Sequence, residues 1–139
     1  MATKTVLISG CSSGIGKFTA IACAAAGNTV VATMRNLDKS WPLREAAATA
    51  GVTLDVRQLD IVDQGSINSC VTGVLTDYGA IDALINNAGS SFVGTLEQTS
   101  AEQLRSTMDA NFTGHVQLSK AVMPSMREAG SGHIVSVTS

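Results

Sequence analysis

The feature that most restricts the fold is a short apolar run, Thr5-Val6-Leu7-Ile8, that stops abruptly on Ser9-Gly10-Cys11-Ser12-Ser13-Gly14-Ile15-Gly16. A run this continuous suits a strand of a parallel sheet, buried on both faces. The glycine-rich segment closes that strand and opens an alanine-rich stretch, Ile15 to Ala26, which ends at Gly27 and reads as a helix packed closely on a sheet. Such a unit calls for a return strand, and the β-branched, apolar Thr29-Val30-Val31-Ala32-Thr33-Met34 supplies it.

The alternation then repeats. The charged segment from Arg35 to Lys39 leads into a second helix over Leu43 to Ala50, a third strand is expected over Val52 to Leu59, and a third helix over Ser66 to Tyr78. Ile81 to Ile85 is the fourth strand and runs into Asn86-Asn87-Ala88-Gly89. From Ser100 onward, Leu104, Met108, Phe112, Val116, Ser119, Val122 or Met123, and Met126 keep a helical period, with Ser100 and Gln103 spaced as a capping box. Pro124 inside that pattern is expected to kink the helix or end it early, because proline has no amide hydrogen and crowds the preceding turn. Gly130-Ser131-Gly132 breaks the helix, and His133 to Val137 forms a fifth strand ending on Thr138-Ser139. The fold class that follows is α/β, a doubly wound parallel sheet with right-handed crossovers, in one domain over residues 1–139.

Bulk composition narrows the function. With 45% hydrophobic and 14% charged residues the chain lies outside the disordered class. A net charge of -2 provides no basic field for nucleic acid or an anionic membrane. Cys11, Cys23 and Cys70 lack metal-ligand or redox spacing and read as reduced, Cys23 as a small core residue. His115 and His133 have no carboxylate at a fixed offset and are expected at the surface or half-buried. The apolar run near the N-terminus is too short for a signal segment or a membrane span, so the expectation is cytoplasmic.

The chemistry gathers at the strand ends. Gly10, Ser12, Ser13, Gly14, Ile15 and Gly16 lie where backbone amides and a helix N-terminus attract a pyrophosphate, although a Gly/Ser-rich turn also has a purely structural use. Their GxxxGxG spacing, the NNAG of Asn86 to Gly89 and the closing GSGHIVSVTS together resemble the short-chain dehydrogenase/reductase family along the entire chain. The stretch KTVLISGCSSGIG with ATMRN is most similar to the branch holding 17β-hydroxysteroid and retinol dehydrogenases and related bacterial reductases. The resemblance implies a Rossmann-like fold, here truncated after the fifth strand, and hydride transfer between a nicotinamide and a small-molecule carbonyl or secondary alcohol.

At the end of the second strand an acid binds the ribose 2′-hydroxyl, whereas an arginine accommodates a 2′-phosphate. Met34 stands in the acid's place and Arg35 follows, with Ser12 as a further donor, so NADP(H) is expected over NAD(H). A solvated charge at a strand end is the plain competitor for Arg35. By resemblance, Asp60 and the adjoining Ile61 face the adenine, against the simpler use of Asp60 in a turn. Asn87, Ala88 and Gly89 correspond to the segment that lines the adenosine ribose and braces the sheet.

The resemblance also implies a catalytic set of Asn, Ser, Tyr and Lys, in which Asn111 and Ser139 match the first two. Tyr78 is the only tyrosine, and Asp82 four places on opposes phenolate formation. Tyr78 therefore reads as a helix-end residue with a packed ring and a wet hydroxyl. The Tyr-x-x-x-Lys pair is expected in a C-terminal part that this chain lacks, leaving it inactive alone. The Met108, Met123 and Met126 stripe reads as a packing face, or, by resemblance, as a surface for a homo-oligomer. The alternatives are a non-catalytic dinucleotide-binding or scaffold protein, and a fragment completed by another chain.

Overall fold

The structure, a computed structural model, describes residues 2–138. Five strands, β1 (Thr5–Ile8), β2 (Thr29–Met34), β3 (Asp55–Gln58), β4 (Ala83–Asn86) and β5 (His133–Ser136), form one parallel sheet in the order β3-β2-β1-β4-β5. The helices are α1 (Gly14–Ala25), α2 (Trp41–Ala50), α3 (Gln64–Tyr78), α4 (Ala101–Met108) and α5 (Gly114–Ala129). The doubly wound α/β expectation therefore holds.

Both faces of the central strands are covered, which is why their sequences are continuously apolar. Val6, Ile8, Val30 and Ala32 point into one core with Ala20 of α1 and Leu43 of α2. Leu7, Val31 and Leu84 point into the other, against Val71 and Val74 of α3 and Leu118 and Val122 of α5. Burial of these side chains stabilises by about 1.5–3 kcal/mol each for the larger ones.

Some boundaries differ from the sequence reading, each for a local reason. α2 begins at Trp41 because Pro42 occupies its first turn, where no amide hydrogen is needed. β3 pairs only over Asp55–Gln58. The long helix expected from Ser100 does start with the Ser100/Gln103 capping box. It then passes through a π turn at Asp109–Thr113 before continuing as α5. Pro124 does not end α5, which runs on to Ala129: one lost hydrogen bond is outweighed by the buried Leu118, Val122 and Met126 on its inner face. A second apolar row, Leu104, Met108, Phe112, Val116 and Met123, faces outward and is exposed, so the methionine stripe divides, with Met126 alone in the core. β5 is an open edge, with Ile134 and Val135 both exposed.

Candidate functional site

From β1 the chain winds outward through β2 to β3, then crosses back to place β4 on the other side of β1. Adjacent strands whose connections leave in opposite directions open a crevice beyond their carboxyl ends. A cleft of about 450 Å³ lies there, lined by Gly10, Ser12 and Ser13 after β1, Met34 and Arg35 at β2, Leu59, Asp60 and Ile61 after β3, and Asn87, Ala88 and Gly89 after β4. Most of the residues singled out from the sequence are thus brought together. Val62, Ser90, Ser106 and Ala110 complete the lining, and sequence reasoning did not find them, because π-turn geometry and loop course carry no local pattern.

The glycine-rich turn is held by main-chain and buried side-chain bonds. Cys11 N donates to Thr33 O at 2.8 Å, and Thr33 Oγ1 donates to Ile8 O at 2.8 Å. Ser9 Oγ, 1% exposed as a residue, accepts from both Asn87 N and Ala88 N at 3.0 Å. Asn87 Nδ2 returns bonds to Ser9 O at 3.2 Å and Gly10 O at 3.0 Å. Gly10 has φ +72°, and a Cβ there would lie 2.6 Å from Ala88 Cα, so two backbones touch where any side chain would separate them. Gly16 is buried, and a Cβ on it would collide with Gly10 O and Asn87 Nδ2, so its part is to let α1 approach rather than to line the cleft. Gly14 opens α1, and Ile15 is 62% exposed.

The first turn of α1 presents free donors. Its N-cap, Ser13, makes no side-chain cap bond, and no acidic residue occupies the turn. Unpartnered amides at a helix start are an anion site. Arg35 is exposed, and its guanidinium has no hydrogen-bond or ion-pair partner among the described residues, while its carbonyl accepts from Gln58 Nε2 at 3.4 Å. Asp60 serves the turn as well as the cleft: its Oδ1 accepts from Val62 N at 3.1 Å and its amide donates to Ser66 Oγ at 2.8 Å. The cleft therefore offers backbone donors, hydroxyls and one free cation among the described residues, a set that fits a phosphorylated dinucleotide.

Asn111 sits in the π turn and braces the loop after β4. Its Oδ1 accepts from Ser90 N at 2.7 Å and its Nδ2 donates to Ser90 O at 2.8 Å. Gly89 makes room, since a Cβ there would be 2.8 Å from Asn111 Oδ1. Ser139 lies outside the described residues.

Three expectations are corrected. The Tyr78 hydroxyl is not simply wet: it donates to Asp55 Oδ2 at 2.8 Å, and that bond raises its pKa. Asp55, and not Asp82, is the carboxylate that opposes phenolate formation, because Asp82 Oδ2 is taken by Thr5 N at 2.7 Å. Arg57 completes this surface cluster, paired at 2.6 Å with Asp55 and with Asp77. His115 is buried, 8% exposed, with Nε2 2.5 Å from Ala88 O, whereas His133 is exposed as expected. Burial pushes the Cys11 thiol up to about 12 and the Cys70 thiol up to about 11, so neither is a ready nucleophile.

The short chain dehydrogenase family model matches residues 4–139. The chain belongs to this family. Bovine retinol dehydrogenase 8 is 46% identical over 142 residues, which cover 99% of this chain and 45% of that protein. A metagenomic short-chain oxidoreductase solved in complex with NADP superimposes with a TM-score of 0.89 at 29% identity, over 98% of this chain and 62% of that one. A variant actinorhodin polyketide ketoreductase solved with NADPH gives 0.92 at 29% identity, over 99% and 53%. This short-chain dehydrogenase chain thus spans about half the length of several relatives it matches. No helix among its described residues is long and apolar enough to cross a membrane.

Proposed function

We propose that this chain is the cofactor-holding half of an NADP(H)-dependent oxidoreductase that interconverts a carbonyl and an alcohol. The observation that carries the cofactor preference is Arg35, an unpartnered guanidinium on the cleft wall directly after Met34, where an acid would select the free ribose hydroxyl. Arg35 and Ser12 would hold the 2′-phosphate, the α1 amides the pyrophosphate, and the Asp60 to Val62 turn with Ser106 and Ala110 the adenine end. NADPH, when bound, supplies the hydride, and the protein orients it. Asn111 and Gly89 fix the loop at Ser90 that borders the reacting end. The proton donor belongs to residues beyond 139, where the resemblance places a Tyr-x-x-x-Lys pair, and the open edge of β5 is where that part continues the sheet.

The substrate class we assign is an apolar alcohol or its carbonyl. Bovine and human retinol dehydrogenase 8 are 46% and 45% identical relatives. Phe92, Val93 and Leu96, all exposed, follow Ser90 of the cleft lining in sequence and give that loop an apolar surface. The exposed row Leu104, Met108, Phe112 and Val116 is assigned to pairing with a second copy, since a contiguous apolar stripe of this kind marks a protein contact.

Replacing the cation tests the cofactor reading. Arg35→Asp should weaken NADPH by roughly 1.5–3 kcal/mol, the value of a bond to a charged group, and leave NADH nearly unchanged. Equal losses for the two cofactors would remove the 2′-phosphate assignment.

A further inference from the structure

Five polar side chains are buried among the described residues, and three of them, Ser9, Asn86 and His115, converge on the segment from Asn86 to Ala88. Buried polar groups are costly unless bonded, so such a convergence marks a place held to a fixed geometry. The Ala88 peptide is gripped from both sides: its amide donates to Ser9 Oγ at 3.0 Å and its carbonyl faces His115 Nε2 at 2.5 Å. One helical turn further along α5, Ser119 Oγ accepts from Asn86 Nδ2 at 2.9 Å. Gly114 lets the start of α5 lie against the turn after β3, since a Cβ there would lie 2.8 Å from Ile61 O.

A carbonyl only accepts, so Nε2 of His115 carries the hydrogen of this bond. Ala88 Cα in turn abuts Gly10, where a side chain would lie only 2.6 Å away. A push on the Ala88 carbonyl is thus passed by direct contact to the turn that lines the cleft with Gly10, Ser12 and Ser13. We propose that His115 is a positioning residue of the dinucleotide site: it fixes Ala88 from the α5 side and, through Ala88, holds the Gly10 turn in its receiving geometry. Its effect on affinity rests on the reading of the cleft as a dinucleotide site. The pyrophosphate that NADH and NADPH share would meet this turn, so both lose affinity, and Ser12 on the same turn, assigned above to the 2′-phosphate, makes the loss for NADPH at least as large.

The test uses the full-length protein with His115→Leu, which removes the donor, and His115→Gln, whose side-chain amide restores one near the position of Nε2. In the absence of cofactor, hydrogen exchange over residues 86–90 and 9–14 should rise about tenfold in the Leu variant, as for loss of one buried hydrogen bond, and return towards wild type in the Gln variant. Both dinucleotides should lose affinity in the Leu variant, NADPH at least as much as NADH, and regain it in the Gln variant. Wild-type exchange in the Leu variant, or lowered thermal stability with unchanged affinity of the folded protein, would overturn the proposal. If the Leu variant does not fold, nitrogen-15 spectra of the wild-type imidazole decide: a hydrogen on Nε2 supports the bond, and a bare Nε2 overturns it. Failure of the wild type to bind either dinucleotide would overturn the cofactor reading, while exchange and tautomer would still judge the grip on Ala88.

Discussion

Gly10→Ala tests the close approach at the heart of the site, with Gly14→Ala as its internal control. Both glycines have positive φ, +72° and +57°, so alanine at either position incurs about 1–2 kcal/mol for the left-handed backbone. They differ in what a Cβ meets. At Gly14 nothing lies within 4 Å, whereas at Gly10 the new carbon falls 2.6 Å from Ala88 Cα and 2.9 Å from Ala88 N, both backbone atoms. Forcing a methyl into a packed contact adds about 1–3 kcal/mol, so Gly10→Ala should cost about 2–5 kcal/mol and Gly14→Ala about 1–2 kcal/mol. Against a typical total of about 5–15 kcal/mol the first is a large loss. Urea unfolding of the full-length variants reads it directly: at a slope of about 2 kcal/mol per molar, the Gly10 midpoint should fall by about 1–2.5 M and the Gly14 midpoint by about half that or less. Equal midpoints for the two variants would refute the contact between the glycine-rich turn and Ala88.

Other expectations follow from the same geometry. Asn111→Ala removes both bonds to the Ser90 backbone and should loosen the loop after β4 by about 1–3 kcal/mol, read as faster hydrogen exchange at residues 89–91. Burial pushes the Asp55 carboxyl up, but the bonds from Arg57 and Tyr78 and the Arg57 charge outweigh it and hold the group below its ordinary 3.8. Its stabilisation is therefore present above that pH and lost as pH falls through the lower folded value, so the stability gap between wild type and Asp55→Asn should narrow in acid. A gap that stays constant from neutral pH to pH 2 would contradict the pairing. Met108→Glu places a charge in the exposed row of α4 and should convert a wild-type dimer to monomer by light scattering; an unchanged mass would exclude that surface.

How much of this was legible beforehand depends on the type of signal. The central strands were readable because Val6 to Ile8, Val30 to Met34 and Leu84 are buried on both faces, which forces continuous apolar runs, while their order in the sheet has no local signal. The cleft's glycine turn, Arg35, Asp60 and Asn87 to Gly89 stood at predicted strand ends, and strand ends are where such a sheet opens. What escaped was set by contacts distant in sequence. Nothing near His115 announces Ala88, twenty-seven positions earlier, as its partner, and Tyr78 finds Asp55 on a strand instead of Asp82 nearby. The π turn was hidden for a different reason: its five residues, Asp109–Thr113, fall inside an unbroken apolar period and carry no local signal that the helix widens there. Pro124 allowed a kink or an early end, and the packing of the inner face, which no local penalty reveals, excludes the early end.

The measurement that bears most directly on the central claim is a paired titration of the wild-type full-length protein with NADPH and NADH, followed by cofactor fluorescence and thermal stabilisation. Binding of NADPH at least about tenfold tighter than NADH, a difference of about 1.4 kcal/mol, is the predicted result. Equal affinities, a preference for NADH, or no binding of either would contradict the assignment of the cleft beside Arg35 to an NADP(H) cofactor.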